Sequence, residues 1–460
     1  MRVASLARHL NMIFFSSTNG QAPAVNLRDA LIVGQAPDRG LYLPAEFPCL
    51  APDEIAAFSE QPYHEIAFHI LSRYTEGIVD PDELAAICSD AYNFDVPIEK
   101  IYACVHVLRL DRGPTASFKD FAAQFMARLF GLFLRKTGQH AMVLTATSGD
   151  TGSAVAHAFH NIPGVRVIVL FPYDEVSPRQ RKLMTTLAEN VHTIAIDGKF
   201  DDCQAMVKRA FADPELKHIP LSSANSINIG RLLPQSVYYF YAASRIAKPG
   251  EPVVFSVPSG NFGDMMGAIV AKKMGLPIKK LVTSVNDNDA FPRFLETGDY
   301  QKIVPSRNSL SNAMNVGHPS NIARLVTVYG GQMDETGKIN RVPDLVAMRR
   351  DIFSSSVSDA RTRATIQEAW KQHKLLLEPH GAVAWRGFLD WQRTESLQGL
   401  PAVVIETAHP AKFPEEIEKT LGFSPDVPPS IIAAEKLPEN YDRMAADYDK
   451  FREYLIKRHS

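Results

Sequence analysis

Hydrophobic and polar positions divide the chain into two textures. Up to about residue 95, apolar positions fall at helical spacing in short segments set among Pro-containing loops. PDEIAAFSE from Pro52 and PDELAAICSDAY from Pro81 are examples, and each opens on Pro-Asp, a favourable first helical turn. This predicts a small N-terminal domain of short helices. From about residue 100, short continuous apolar runs alternate with amphipathic segments. AMVLTAT precedes a helix through AVAHAF, and VRVIVLFP and VHTIAID each precede another. The alternation resumes at PVVFSVP with MMGAIVAKKM, at KKLVTSV, and late in the chain at AVVIETA. Strands this apolar predict parallel sheets wrapped by helices on both faces. The span from about 100 to 425 is too long for one small sheet, so two α/β lobes with a cleft between them are expected. The last stretch, NYDRMAADYDKFREYLIKRHS, predicts one exposed amphipathic helix that serves packing rather than function. The expected division is residues 1–95, 96–430 for the two lobes, and 431–460 for a helical tail.

Composition narrows the function classes. The 460 residues are 45% hydrophobic and 22% charged with a net charge of −2, an ordinary globular balance. No basic field for nucleic acid and no polybasic membrane patch is visible, and no apolar run reaches membrane-span length. Cys49, Cys88, Cys104 and Cys203 are scattered without metal-ligand spacing, which predicts reduced, mostly buried thiols, no metal site and a cytoplasmic protein. The opening MRVASLARHL lacks the apolar core and cleavage pattern of a signal peptide, and Met12 is read as the start of the folded chain.

The chemistry concentrates at junctions between strands or loops and helices. In GPTASFKDFAAQFMARLF, Lys119 stands in the first turn of an amphipathic helix, where the macrodipole disfavours a positive charge. A neutral amine there is a nucleophile able to form a Schiff base with an aldehyde. In TATSGDTGSAVAHAF, Ser148, Gly149, Asp150 and Thr151 join a strand to a helix whose start suits a carboxylate. In VFSVPSGNFGDMMGAIVAKKM, Ser259, Gly260, Asn261, Phe262 and Gly263 form a second such junction, suited to a phosphate. It is neither a Walker loop nor a dinucleotide fingerprint. Thr407 follows the strand of VVIETAHPAKF. All three loops fall at the carboxyl ends of strands, where open α/β sheets collect ligands. A Schiff-base lysine, a carboxylate loop and a phosphate loop together describe a pyridoxal 5'-phosphate enzyme acting on an amino acid.

The motifs GPTASFKDF, LTATSGDTGSAVAHAF, SPRQRKL, AIDGKFDDCQAMVK, SSANSINIGRL, VPSGNFGD, EPHGAVA and TAHPAKF, in this order, resemble the longer, bacterial and fungal threonine synthases. The resemblance runs from about residue 22 to 425. It implies the fold type II (tryptophan synthase β-like) class with two parallel-sheet lobes and a small N-terminal domain. It also implies conversion of O-phospho-L-homoserine and water to L-threonine and phosphate; the sequence leaves monomer and homodimer both open. By resemblance, Lys119 bonds the cofactor and shuttles protons, Ser259 to Gly263 cradle the cofactor phosphate, and Thr407 faces the ring nitrogen. Asp150 lies near the cofactor's 3′-oxygen, and Ser148, Gly149 and Thr151 hold the substrate carboxylate. Ser177, Lys182, Asn225, Asn228 and Arg231 are candidates for the substrate phosphate, although Lys182 and Arg231 would equally suit a solvated helix surface. His380 and His409 read as hydrogen-bonded structural histidines. Arg112 and Asn315 depart from the family's usual residues. Alternative readings are a phospho-lyase releasing 2-oxobutyrate, a serine or threonine dehydratase with no need of a second phosphate site, and a non-catalytic binding protein.

Overall fold

The protein is seen in a computed structural model that describes residues 12–459. The reading of the opening segment as an extension before Met12 falls on residues outside that range.

Two sheets organise the chain. The larger has six strands in the order Ile352–Ser356, Ile278–Val285, Val253–Pro258, Ala402–Glu406, Val105–Arg109 and Ile98–Tyr102. Its neighbours pair in parallel except for the last, a hairpin. The smaller sheet has five parallel strands, Asp442–Ala445, Val191–Asp197, Val165–Pro172, Ala141–Ala146 and Leu221–Ser223. The apolar runs are its central strands and those of the larger sheet. Every residue of Ala141–Ala146, Val253–Pro258 and Ala402–Glu406 is buried, as strands covered on both faces require.

Helices supply the cover. Trp385 and Phe388 of helix Pro379–Gln392 pack on Val105, Val254, Val282 and Val404 of the larger sheet. Helix Lys119–Thr137 buries Phe121, Phe125, Met126, Leu129 and Phe130 in the central core. The N-terminal part contains the expected short helices, Pro52–Ala57 and Pro81–Ala91 among them, but also an antiparallel ribbon of Phe15–Ser17 with Tyr42–Pro44 that the helical pattern does not announce.

The chain's end differs from the single exposed helix expected. Asp442–Ala445 is an edge strand paired with Val191–Asp197, and only Tyr448–His459 is helical. The open edge of the smaller sheet offers unpaired backbone groups, and pairing with them outweighs the local helical pattern. That helix packs as its amphipathic pattern implies, with Phe451 and Leu455 fully buried against Ile168 and Ile194. Among the described residues no helix is long and apolar enough to cross a membrane.

Candidate active site

The loop before Lys119 is stitched to the segment after strand Ala402–Glu406. Leu110 donates to the Glu406 carbonyl at 3.0 Å, Phe118 to the Thr407 carbonyl at 2.8 Å, and His409 to the Ala116 carbonyl at 3.0 Å. Thr115 donates from its backbone N and Oγ1 to Asp120 at 2.8 and 2.6 Å, which fixes the helix start. Lys119 is therefore the first helical residue, as expected, and its amine opens into a cleft. The cleft is lined from the carboxyl ends of both sheets, by Ala146 to Ser148, by Pro258 to Asp264 and by Thr407.

Burial is the first cause that pushes the Lys119 amine below the ordinary lysine range; Lys412 and Arg231 push it further, and Asp150 opposes them. The direction matches the expectation from the helix terminus, while the main cause is desolvation. Asp150 Oδ2 lies 3.7 Å from Lys119 Nζ, and Asp150 Oδ1 lies 2.5 Å from Lys412 Nζ. Despite burial, Lys412 and then Lys119 hold the Asp150 carboxyl well below the usual range.

Four consecutive backbone N–H groups, of Gly260, Asn261, Phe262 and Gly263, donate to no other described residue, and they lead into helix Gly263–Lys273. Phe262 takes the left-handed φ of 62°, which turns the loop into that helix. Ser259 is different: its N–H is bound to the Ser284 carbonyl and its Oγ to Thr283 Oγ1 at 2.7 Å. The Asn261 side chain is also engaged, donating to Ser226 Oγ at 2.6 Å and accepting from the Ser320 N–H at 2.7 Å. Asn321 Nδ2 binds the Asn261 carbonyl, and the buried Arg324 holds Asn321 Oδ1 and the Ser226 carbonyl from beneath.

The other predicted residues separate into two groups. Ser148, Asp150, Thr151, Asn225 and Arg231 line the cleft. Arg231 is 3% exposed; Nη1 donates to the Ala224 carbonyl, while Nε has no partner. Burial lowers its guanidinium to about 10. Asn225 ties its amide to the Ala146 carbonyl at 2.9 Å. Gly149 only shapes the loop: its φ of 133° needs glycine, and its N–H is taken by Thr147 Oγ1. Ser177, Lys182 and Asn228 are not brought to the cleft. Ser177 caps helix Pro178–Thr185, and Asn228 spends its side chain on the Leu31 and Ser223 carbonyls and the Gly230 N–H. Lys182 Nζ caps the C-terminal segment instead, on the carbonyls of Glu435 and Leu437. Arg112 and Asn315 are also absent from the lining.

A family model described as Pyridoxal-phosphate dependent enzyme matches residues 97–407, one described as Threonine synthase N terminus matches 14–92, and one described as Threonine synthase, C-terminal matches 381–455. The threonine synthase of Haemophilus influenzae is 40% identical over 94% of this chain and 97% of its own length. That of Pseudomonas aeruginosa is 38% identical over 90% and 92%. The chain belongs to the threonine synthase family. The structure of a pyridoxal phosphate-bound threonine synthase from Brucella melitensis matches with a TM-score of 0.90 at 35% identity, covering 97% of this chain and 99% of that one. The yeast threonine synthase matches at 0.88 and 29%, over 97% and 99%. Threonine synthase membership carries the fold type II class and pyridoxal phosphate as cofactor. The residues fit that group: a depressed amine for its aldehyde and four unpaired N–H groups at a helix start for its phosphate.

Sequence reasoning missed Asp264 of the cleft lining and two residues that contact Asp150 from behind it, Lys412 and Gln180. Lys412 and Asp264 lie inside TAHPAKF and SGNFGD, and Gln180 inside SPRQRKL, so the motifs contained them. Only Lys412 carried a signal of its own, a charged side chain within a run whose residues are all buried. Asp264 accepts from Tyr238 at 2.5 Å and Tyr239 at 2.6 Å, its other oxygen is buried without a partner, and burial raises it to about 6. Both histidines are hydrogen-bonded, as expected, although His380 also lines the cleft. His380 Nδ1 contacts Glu378 Oε2 at 2.6 Å and its Nε2 accepts from the Ala313 N–H; His409 caps the turn at Pro410–Lys412.

Proposed function

We propose that this chain converts O-phospho-L-homoserine and water to L-threonine and phosphate in the cytoplasm, with Lys119 as its catalytic amine. The observation that carries the reading is that one cleft offers two separate anion-binding features. One is the unpaired N–H row at Gly260 to Gly263; the other is the buried Arg231, with Nε free. A cofactor phosphate and a substrate phosphate need one each, whereas a dehydratase needs only the first.

Bound pyridoxal phosphate supplies an aldehyde for Lys119 and an electron-withdrawing ring that stabilises negative charge developed beside the substrate's amino group. Arg231 and Asn225 hold the substrate phosphate at Cγ, and Ser148 and Thr151 its carboxylate. The free amine of Lys119 removes the proton from Cα and then one from Cβ as phosphate leaves Cγ. The same amine returns protons to Cγ and Cα while water adds at Cβ. Its lowered proton affinity suits both directions of transfer. Borohydride should fix the cofactor on Lys119 in a yellow protein, and Lys119→Ala should form no threonine. Fixation at another residue, or threonine from that variant, contradicts the assignment.

A further inference from the structure

A second buried lysine stands beside the first. Lys412 has no exposed surface; its Nζ lies 2.5 Å from Asp150 Oδ1 and donates to the Thr115 carbonyl at 3.0 Å. Gln180 Nε2 donates to the same Oδ1 at 2.9 Å, while Oδ2 stands 3.7 Å from Lys119 Nζ. Thr115 in turn binds Asp120, the residue after Lys119. One ammonium group thus joins the loop leading to Lys119, the helix start at Asp150 and the turn after Thr407.

From this geometry we infer that Lys412 is a positioning residue for cofactor capture: it neutralises Asp150, so that Asp150 stands against Lys119 without holding its amine protonated. The inference rests on the reading of Lys119 as the amine that bonds the cofactor. Capture needs the Nζ lone pair, which forms the C–N bond to the aldehyde carbon while the aldehyde oxygen leaves as water with the two amine protons. A lone carboxylate beside an amine in a buried site favours the ammonium form, which has no lone pair to give. Paired with Lys412, Asp150 presents little net charge. The remaining charges that act on Lys119 are Arg231, Glu378 and Asp264, with His380 acting on Asp150, and none of them is altered in the variants below.

The test is the rate at which cofactor-free enzyme captures pyridoxal phosphate, followed by absorbance across pH. Its midpoint reports the fraction of neutral Lys119. Lys412→Met should raise the midpoint by about one unit, Asp150→Asn should lower it, and the double variant should return near the parent. Lys412→Arg should hold the parent's midpoint even if it captures more slowly. A merely structural role would not move the two single variants in opposite directions. Should Lys412→Met fail to fold, Asp150→Asn against the double variant carries the same comparison, with the double predicted higher. Midpoints that stay together, or move the same way, overturn the inference. Failure of the parent to capture cofactor would instead overturn the reading of Lys119.

Discussion

Lys119 and Arg231 acquire their chemistry from burial, which a sequence shows only indirectly. Lys119 was legible because a glycine-containing loop, a helix start and a family motif coincide at it. Arg231 and Lys182 were not separable, because each is a cation in a helical motif and only the chain path decides which meets the cleft. The path gives Lys182 to the C-terminal segment and Arg231 to the cleft. Arg231→Ala should therefore lower kcat/KM for O-phosphohomoserine about ten- to a hundred-fold, a charge-assisted contact of roughly 1.5–3 kcal/mol, with little change in threonine binding. Lys182→Ala should leave kcat/KM within about three-fold, and the reverse ranking in steady-state kinetics would reject the placement. His409 carries a pH signature. Burial depresses it to about 4 from the ordinary 6.5, so the unfolded chain binds the extra proton first as pH falls. Its stabilising contribution is present above about 6.5 and is lost between there and 4, by at most about 3 kcal/mol. His409→Asn, which can still cap the turn, should show a smaller fall in Tm from pH 7 to 4; equal falls would refute this.

Elements were legible where burial on both faces leaves a continuous apolar run, as in Ala141–Ala146 and Val253–Pro258. They were illegible at sheet edges. Leu221–Ser223, Ile352–Ser356 and Asp442–Ala445 are short or polar, and they are strands only because a neighbour's backbone is there to pair with. The phosphate loop gives an element-scale prediction. A Cβ on Gly260 would lie 2.7 Å from Met314 Cα and 2.9 Å from the Ala313 carbonyl oxygen. On Gly263 it would meet nothing closer than Ser226 Cβ at 3.4 Å. Gly260→Val should push the Ala313–Met314 segment off the cleft wall and weaken cofactor affinity about ten-fold or more, an overpacking cost of roughly 1–3 kcal/mol. Gly263→Ala should cost less. A cofactor titration that ranks the two the other way would show that the loop's close approach is not what Gly260 serves.

For the whole molecule, the alternating texture conveyed two α/β lobes and the three loops conveyed the cleft, because both depend on local pattern. The C-terminal segment's part did not show. It completes the smaller sheet and, through Arg181 and Lys182, holds helix Pro178–Thr185, whose Gln180 touches Asp150. Its site-facing consequence exists only in the assembled fold. The cysteines illustrate the same limit, since Cys88 and Cys203 are buried but Cys49 is exposed. In the proposed reaction phosphate leaves Cγ, which gains a proton, and the oxygen of water replaces a hydrogen at Cβ, so the origin of that oxygen is the most direct test. O-phosphohomoserine should be turned over in ¹⁸O-labelled water and the products weighed by mass spectrometry. Threonine should carry the label in its hydroxyl and the phosphate should be unlabelled, because the bond broken lies between carbon and oxygen. Unlabelled threonine, 2-oxobutyrate as the main product, or labelled phosphate released with homoserine would contradict it.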